Sequence, residues 1–209
     1  MHIIWRFLGQ RPYLTDVARL GLLPGVEQGP RSHDRHDCYE RVVAQECPGE
    51  PQPGGPYERM AKAIFAYDIF PRWLVEGILR RDPVKVGDTV GIVYHFLPGI
   101  DLLFGARVIA TFDKREAGTW RTGFTYQTLQ GHPELGEETF QVEKDLASGR
   151  VTVSLRSWSR FGLWLTRLAY PYTRRVQVRA GHAALDHLAT LATSTVTAPC
   201  VFLEASRNR

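Results

Sequence analysis

Cysteine is scarce in this chain, with Cys38, Cys47 and Cys200 the only three in 209 residues. An odd number at irregular spacing does not read as a secreted disulfide framework, and a reducing cytoplasm is the expected compartment. Long apolar runs are missing as well. Nowhere do about 18 apolar residues follow one another, and the stretch from Met1 to Leu8 places Arg6 inside a short apolar run with no small-residue cleavage site. Neither a membrane span nor an export signal is expected. There is no Gly-x-x-x-x-Gly-Lys loop, no Gly-x-Gly-x-x-Gly turn after a strand and no Gly-x-Ser-x-Gly elbow. Nucleotide cofactors and serine hydrolysis are thereby disfavoured, and no cofactor is implied.

Acidic residues are sparse toward the C-terminus. Six arginines lie from Arg156 to Arg179, and between Arg156 and Leu203 the one acid is Asp186. The net charge is nevertheless only +4, with 44% hydrophobic and 23% charged residues, the make-up of an ordinary globular protein with one core.

Turn and breaker residues crowd positions 24–56, from Pro24 and Gly25 to Gly55 and Pro56, so residues 1–56 read as an N-terminal arm with a long Pro/Gly-rich loop. Within it Asp37 to Glu46 fits either a short strand or a helical turn. A single α+β domain is expected over 57–192 and a fraying Thr/Ser-rich tail over 193–209. Met60, Ile64 and Phe65 at helical spacing predict a helix over 57–67. Pro71 followed by Trp73, Leu74, Ile78 and Leu79 predicts a second, stopped at Arg80-Arg81-Asp82-Pro83.

Beyond Pro83 the apolar period falls to two, and about five strands joined by short connections predict an antiparallel meander. Helical spacing returns after Arg160, from Leu165 and Leu168 through Tyr172, Val176 and Ala183 to Leu191, with a kink or restart expected at Pro171. Two helices, a curved sheet and a long closing helix make a helix-grip architecture, in which an apolar cavity can lie between sheet and helix. The aromatic candidates for its lining are Tyr94, Phe96, Phe104, Trp120, Phe124, Tyr126, Phe140, Trp158 and Tyr172. The alternative is that these rings fill the core completely.

The densest polar chemistry runs from Gly123 to Glu143. It includes Gly123-Phe124-Thr125-Tyr126-Gln127-Thr128-Leu129-Gln130-Gly131-His132-Pro133-Glu134-Leu135-Gly136-Glu137-Glu138. This segment resembles the uncharacterised protein family 0548 of bacteria and plants, whose members carry a Gly-Phe-x-Tyr-Gly-Thr-Leu-x-Gly-His-Pro-Glu-x-Gly-Glu-Glu pattern. The resemblance continues through Ser157-Trp158-Ser159-Arg160 to Arg174-Arg175-Val176-Gln177. It departs at Gln127, where glycine is usual, and at Phe161, where proline is usual. What it implies is a helix-grip fold like that of Bet v 1 and lipid-transfer domains, without an assigned activity.

Three functional readings stay open. In the first, a small apolar or amphipathic ligand lies between sheet and helix, contacting Tyr94, Phe96, Trp120, Phe124, Tyr126, Trp158 and Tyr172, with His132, Arg156 or Arg160 at its polar end. In the second, His132 is an acid or base tuned by Glu134, Glu137 or Glu138, with Arg160 as an anion clamp. Glu137 and Glu138 are adjacent on a strand, so at most one can face a given site. In the third, Arg167, Arg174, Arg175 and Arg179, with Trp164 and Tyr172, bind nucleic acid or a membrane surface. A metal reading of His33, Asp34, His36, Asp37, Cys38 and Cys47 lacks any paired ligand spacing, and no metal is expected.

Overall fold

The computed structural model describes residues 1–161 and 170–193. Leu165, Leu168, Trp164, Arg167, Cys200 and the 193–209 tail beyond Thr193 lie outside the described residues. In chain order the elements are β1 (His2–Trp5), α1 (Thr15–Ala18), β2 (Arg35–Gln45), α2 (Pro56–Phe65), β3 (Val75–Ile78), β4 (Thr89–Leu97) and β5 (Ile100–Glu116). Then follow β6 (Thr119–Thr128), β7 (Glu134–Asp145), β8 (Arg150–Phe161) and α3 (Tyr170–Thr193).

Among the described residues the strands form one sheet in the order β2-β8-β7-β6-β5-β4-β3, with β1 also paired to β5. Every pairing is antiparallel. Bulges at Val42/Ala44 in β2 and Val108/Ala110 in β5 bend their strands, which lets the sheet curl around α2 and α3. The β5–β6 connection is short, as expected of a meander. Ala117 and Gly118, with φ of 49° and 78°, make a two-residue turn of the kind that matches strand twist.

The core sits on the concave face. Phe124, Phe140, Val142, Val153 and Leu155 meet Met60 and Ile64 of α2 and Ala184, Leu185 and Leu188 of α3. Side chains of this size contribute about 1.5–3 kcal/mol each when fully buried. Helix α2 opens with Pro56 at its first position, where the missing N–H costs nothing.

A buried ion pair fastens the loop before α2. Lys144 Nζ lies 2.7 Å from Glu46 Oε2, both side chains wholly buried, and also donates to Glu50 O at 2.8 Å. The other Glu46 oxygen accepts the Tyr57 backbone N–H at 2.8 Å, placing a carboxylate on the N-terminus of α2. Gly55 makes this approach possible, since a Cβ there would lie 2.7 Å from Glu46 Oε1 and 2.8 Å from Gln52 O.

Several expectations are corrected. Residues 1–56, read as an arm, are tied into the fold: they supply β1 and edge strand β2, which is the strand alternative for the stretch at Asp37 to Glu46, and Val17, Leu23 and Val26 pack on the convex face of the sheet. Val17 joins Ile4, Val93 and Leu103, while Leu23 and Val26 join Leu135 and Trp158. The stretch after Pro71 is no helix, because Val75–Ile78 pairs with β4 and Trp73 is left 59% exposed. At Pro171 the described helix is at its start, since α3 begins at Tyr170, and residues 162–169 before it lie outside the described residues. Cys38 is free and exposed.

Candidate functional site

Helix α3 faces the sheet along two stretches. Its second half presents Ala184, Leu185, Leu188 and Ala192 to the core, whereas its first half presents Thr173, Val176, Gln177, Ala180 and Gly181. Between that first half and the sheet lies a cavity of about 440 Å³, within the range of about 300–1,000 Å³ common to small-molecule sites. Its far wall is aromatic, formed by Tyr67, Phe70, Tyr94, Phe96, Phe104 and Tyr126, with Tyr172 at the opening. Gly181 lets the helix come down on β2, since a Cβ there would lie 2.8 Å from the Tyr39 ring.

One end of the cavity carries two phenols beside a carboxyl. Tyr126 and Glu138 stand opposite each other on β6 and β7, and the phenol donates to Glu138 Oε2 at 2.8 Å. The Tyr67 ring lies beside that of Tyr126, with centroids 6.4 Å apart. Tyr67 reaches this position because the chain leaves α2 through a left-handed residue, Tyr67 itself at φ 56°. Its ring then lies against β3 at Gly77, where a Cβ would come within 2.4 Å. Removal from water, with Glu134 and Asp37 nearby, pushes the Glu138 carboxyl up to about 7. Burial likewise raises both tyrosines, so they act as neutral donors.

His132 also lines the cavity, beside Phe104. Gly131, at φ 80°, turns the chain, and the His132 N–H donates to Leu129 O at 3.0 Å. Imidazole Nδ1 is 2.8 Å from the Glu134 carbonyl, and the ring meets Phe104 edge to face at 4.6 Å. Desolvation lowers its pKa to about 4, so the ring is neutral near pH 7.

A polar latch closes the rim between α3 and the sheet edge. Arg174 grips Asp37 through two bonds of 2.7 Å, and Arg35 reaches Glu134 at 2.9 Å, Asp37 at 3.2 Å and Ser159 Oγ at 2.7 Å. Gln177 adds a bond to Glu134.

The residues named from the sequence divide between the two faces. Tyr94, Phe96, Phe104, Tyr126, His132 and Tyr172 line the cavity. Phe124 and Phe140 are fully buried in the core, and Trp120 donates from Nε1 to Asp113 Oδ1 at 2.7 Å, away from the cavity. Trp158 borders the cavity, but its indole packs outward on Leu23, Val26 and Leu135. Arg156 and Arg160 do not supply a polar end, because the two-residue period of β8 directs both to the convex face. There Arg156 is exposed, and Arg160 bonds Gly29 O at 2.7 Å and Asp34 at 3.3 Å.

Of the carboxylates grouped with His132, Glu134 is taken up by Arg35 and Gln177. Glu137 and Glu138 both border the cavity, but strand alternation puts their side chains on opposite faces, and that of Glu137 accepts from Gln127 at 3.2 Å. Among the helix arginines, Arg174 is in the latch and Arg179 lies over the exposed Trp73 ring at 5.1 Å. Tyr67 and Phe70 were not anticipated from the sequence. The available signal was an aromatic pair straddling the end of an otherwise alanine-rich helix.

Among the described residues no helix is long and apolar enough to cross a membrane. The chain is 33% identical over 128 residues to a UPF0548 protein of Dictyostelium discoideum, covering 58% of this chain and 59% of that one. It is 33% identical over 132 residues to a UPF0548 protein of Deinococcus radiodurans, covering 59% and 64%. The chain therefore matches about three-fifths of the length of these curated relatives. In structure it is similar to a hypothetical protein of Helicobacter pylori, with a TM-score of 0.51 at 12% identity over 82% of this chain and 96% of that one. That likeness concerns the fold. A family model described as a domain of unknown function, DUF1990, matches residues 23–187, spanning the edge strand, the cavity and most of α3, and the chain belongs to that family.

Proposed function

We propose that this protein binds a small, largely apolar molecule in the cavity between the sheet and α3, with the polar end of the molecule toward Tyr67, Tyr126 and Glu138. The observation that supports the reading is a space of about 440 Å³ whose walls are aromatic and whose convergent polar groups lie at one end. A family without assigned activity and a helix-grip fold are compatible with such a role, and the site rather than the fold argues for it. Native mass spectrometry of the protein purified from cells tests it. A stoichiometric small molecule that is released on denaturation is expected, and its loss when Ala180→Trp fills the cavity would tie it to this site.

A second reading is supported by the Glu138 carboxyl, whose raised pKa of about 7 suits a proton acceptor or donor near neutrality. In this reading Glu138 takes the acid/base role considered for His132, which is neutral and held by a backbone carbonyl. Conversion of the co-purified molecule by the native protein but not by Glu138→Gln is the outcome that would establish it.

A further inference from the structure

Three acidic side chains face the cavity and its rim, and they are treated differently. Glu134 is met by Arg35, and Asp37 by Arg174 and Arg35. Glu138 has the Tyr126 hydroxyl on Oε2, and no cation among the described residues pairs with it. A carboxylate facing an apolar cavity without a counter-ion is costly, and the cost is relieved by taking up a proton or by receiving a cation from outside. The groups around it favour the cation. Both nearby phenols stay neutral, and their rings, 6.4 Å apart, line the cavity with aromatic surface that a cation can meet. Phe70, which also lines the cavity, extends that aromatic surface at 6.1 Å from the Tyr67 ring.

An anionic ligand would find the opposite conditions. The rim arginines, Arg35 and Arg174, are held by Glu134 and Asp37, His132 is neutral, the Met1 ammonium that also borders the cavity sits against Gly131, and the Glu138 carboxyl repels negative charge.

We infer that the cavity selects organic amines, with the ammonium seated on Glu138 between Tyr67 and Tyr126 and the apolar remainder lying along Tyr94, Phe96 and Phe104. This inference rests on the proposed binding function and specifies its ligand class.

The test is calorimetric titration at pH 8 with three probes of equal chain length, octylamine, octan-1-ol and octanoate, against the native protein and Glu138→Gln. The amine is expected to bind roughly tenfold or more tightly than the alcohol, as a charge-assisted contact in a dry site requires, with octanoate weakest. In Glu138→Gln the amine should fall to the level of the alcohol while alcohol affinity stays within about threefold of native. Equal binding of amine and alcohol by the native protein overturns the amine inference and leaves the cavity reading standing, whether or not the variant folds. An amine preference that survives in a Glu138→Gln protein whose circular dichroism matches the native one overturns it equally. Failure of all three probes to bind overturns both readings.

Discussion

The hydroxyl of Tyr126 donates to Glu138 Oε2 at 2.8 Å directly across the β6–β7 ladder, joining a phenol and a carboxyl that both face an apolar space. The pairing keeps Glu138 hydrogen-bonded in either protonation state, yet supplies no charge to balance it. Stability should record this. The folded pKa of Glu138, about 7, lies above its unfolded value, so the group binds more protons when folded and stability falls as pH rises from about 4.5 to about 7. His132, lowered to about 4, works in the opposite sense, because its folded state resists protonation and stability falls as pH drops from about 6.5 to about 4. The two slopes oppose each other between about 4.5 and 6.5. Denaturant titrations should find a shallow native profile there, a rise with pH in Glu138→Gln and a fall with pH in His132→Gln.

The Glu46 and Lys144 side chains are wholly buried, and each is the charged partner of the other. Glu46→Ala should cost about 3–5 kcal/mol by leaving the ammonium uncompensated. The double substitution Glu46→Gln with Lys144→Met should recover part of that loss. Urea midpoints for the two single variants and the double variant measure it.

Gly77→Ala places a methyl group within 2.4 Å of the Tyr67 ring. A loss of about 1–3 kcal/mol is expected from overpacking. Combining it with Tyr67→Ala should cost less than the sum of the two single changes, since the obstacle has gone. Thermal denaturation of the cycle gives the coupling.

Asp37→Ala removes the carboxylate that holds both Arg174 and Arg35. Amide exchange should quicken over the first half of α3, around residues 173–181, and change little over 184–192, where Leu185 and Leu188 are packed in the core. Hydrogen exchange read by mass spectrometry separates the two halves.

The sheet was legible in the sequence wherever one face is apolar and the other polar, as in β6, where Phe124 and Tyr126 face inward and Gln127 outward. Strand β2 escaped for a physical reason. Before its bulge the inward residues are Arg35, Asp37, Tyr39 and Arg41, of which Asp37 and Arg41 make ion pairs to α3 and Arg35 bonds Glu134, so little apolar alternation marks it. The residues Trp73, Leu74, Ile78 and Leu79 fall at helical spacing, yet Val75–Ile78 is a strand, with Gly77 giving up its side chain to the Tyr67 ring.

The site was legible in part. The aromatic wall followed from strand periodicity, and the opposed directions of Glu137 and Glu138 followed from adjacency on one strand. Which of the two entered the cavity depended on the register of β7 with β6. The inward turn of Tyr67 depended on a left-handed backbone residue that no spacing rule announces.

The strands behind the cavity are packed from both sides, since Leu23 and Val26 press on Leu135 and Trp158 from the convex face. The helix in front is held at that end by Arg174, Arg35 and Gln177 through polar bonds to Asp37 and Glu134. Traffic of small molecules should therefore pass on the helix side, with the sheet as the fixed jaw. The residence time of an occupant becomes a matter of how long ion pairs stay closed, and raising the ionic strength should shorten it without disturbing the sheet.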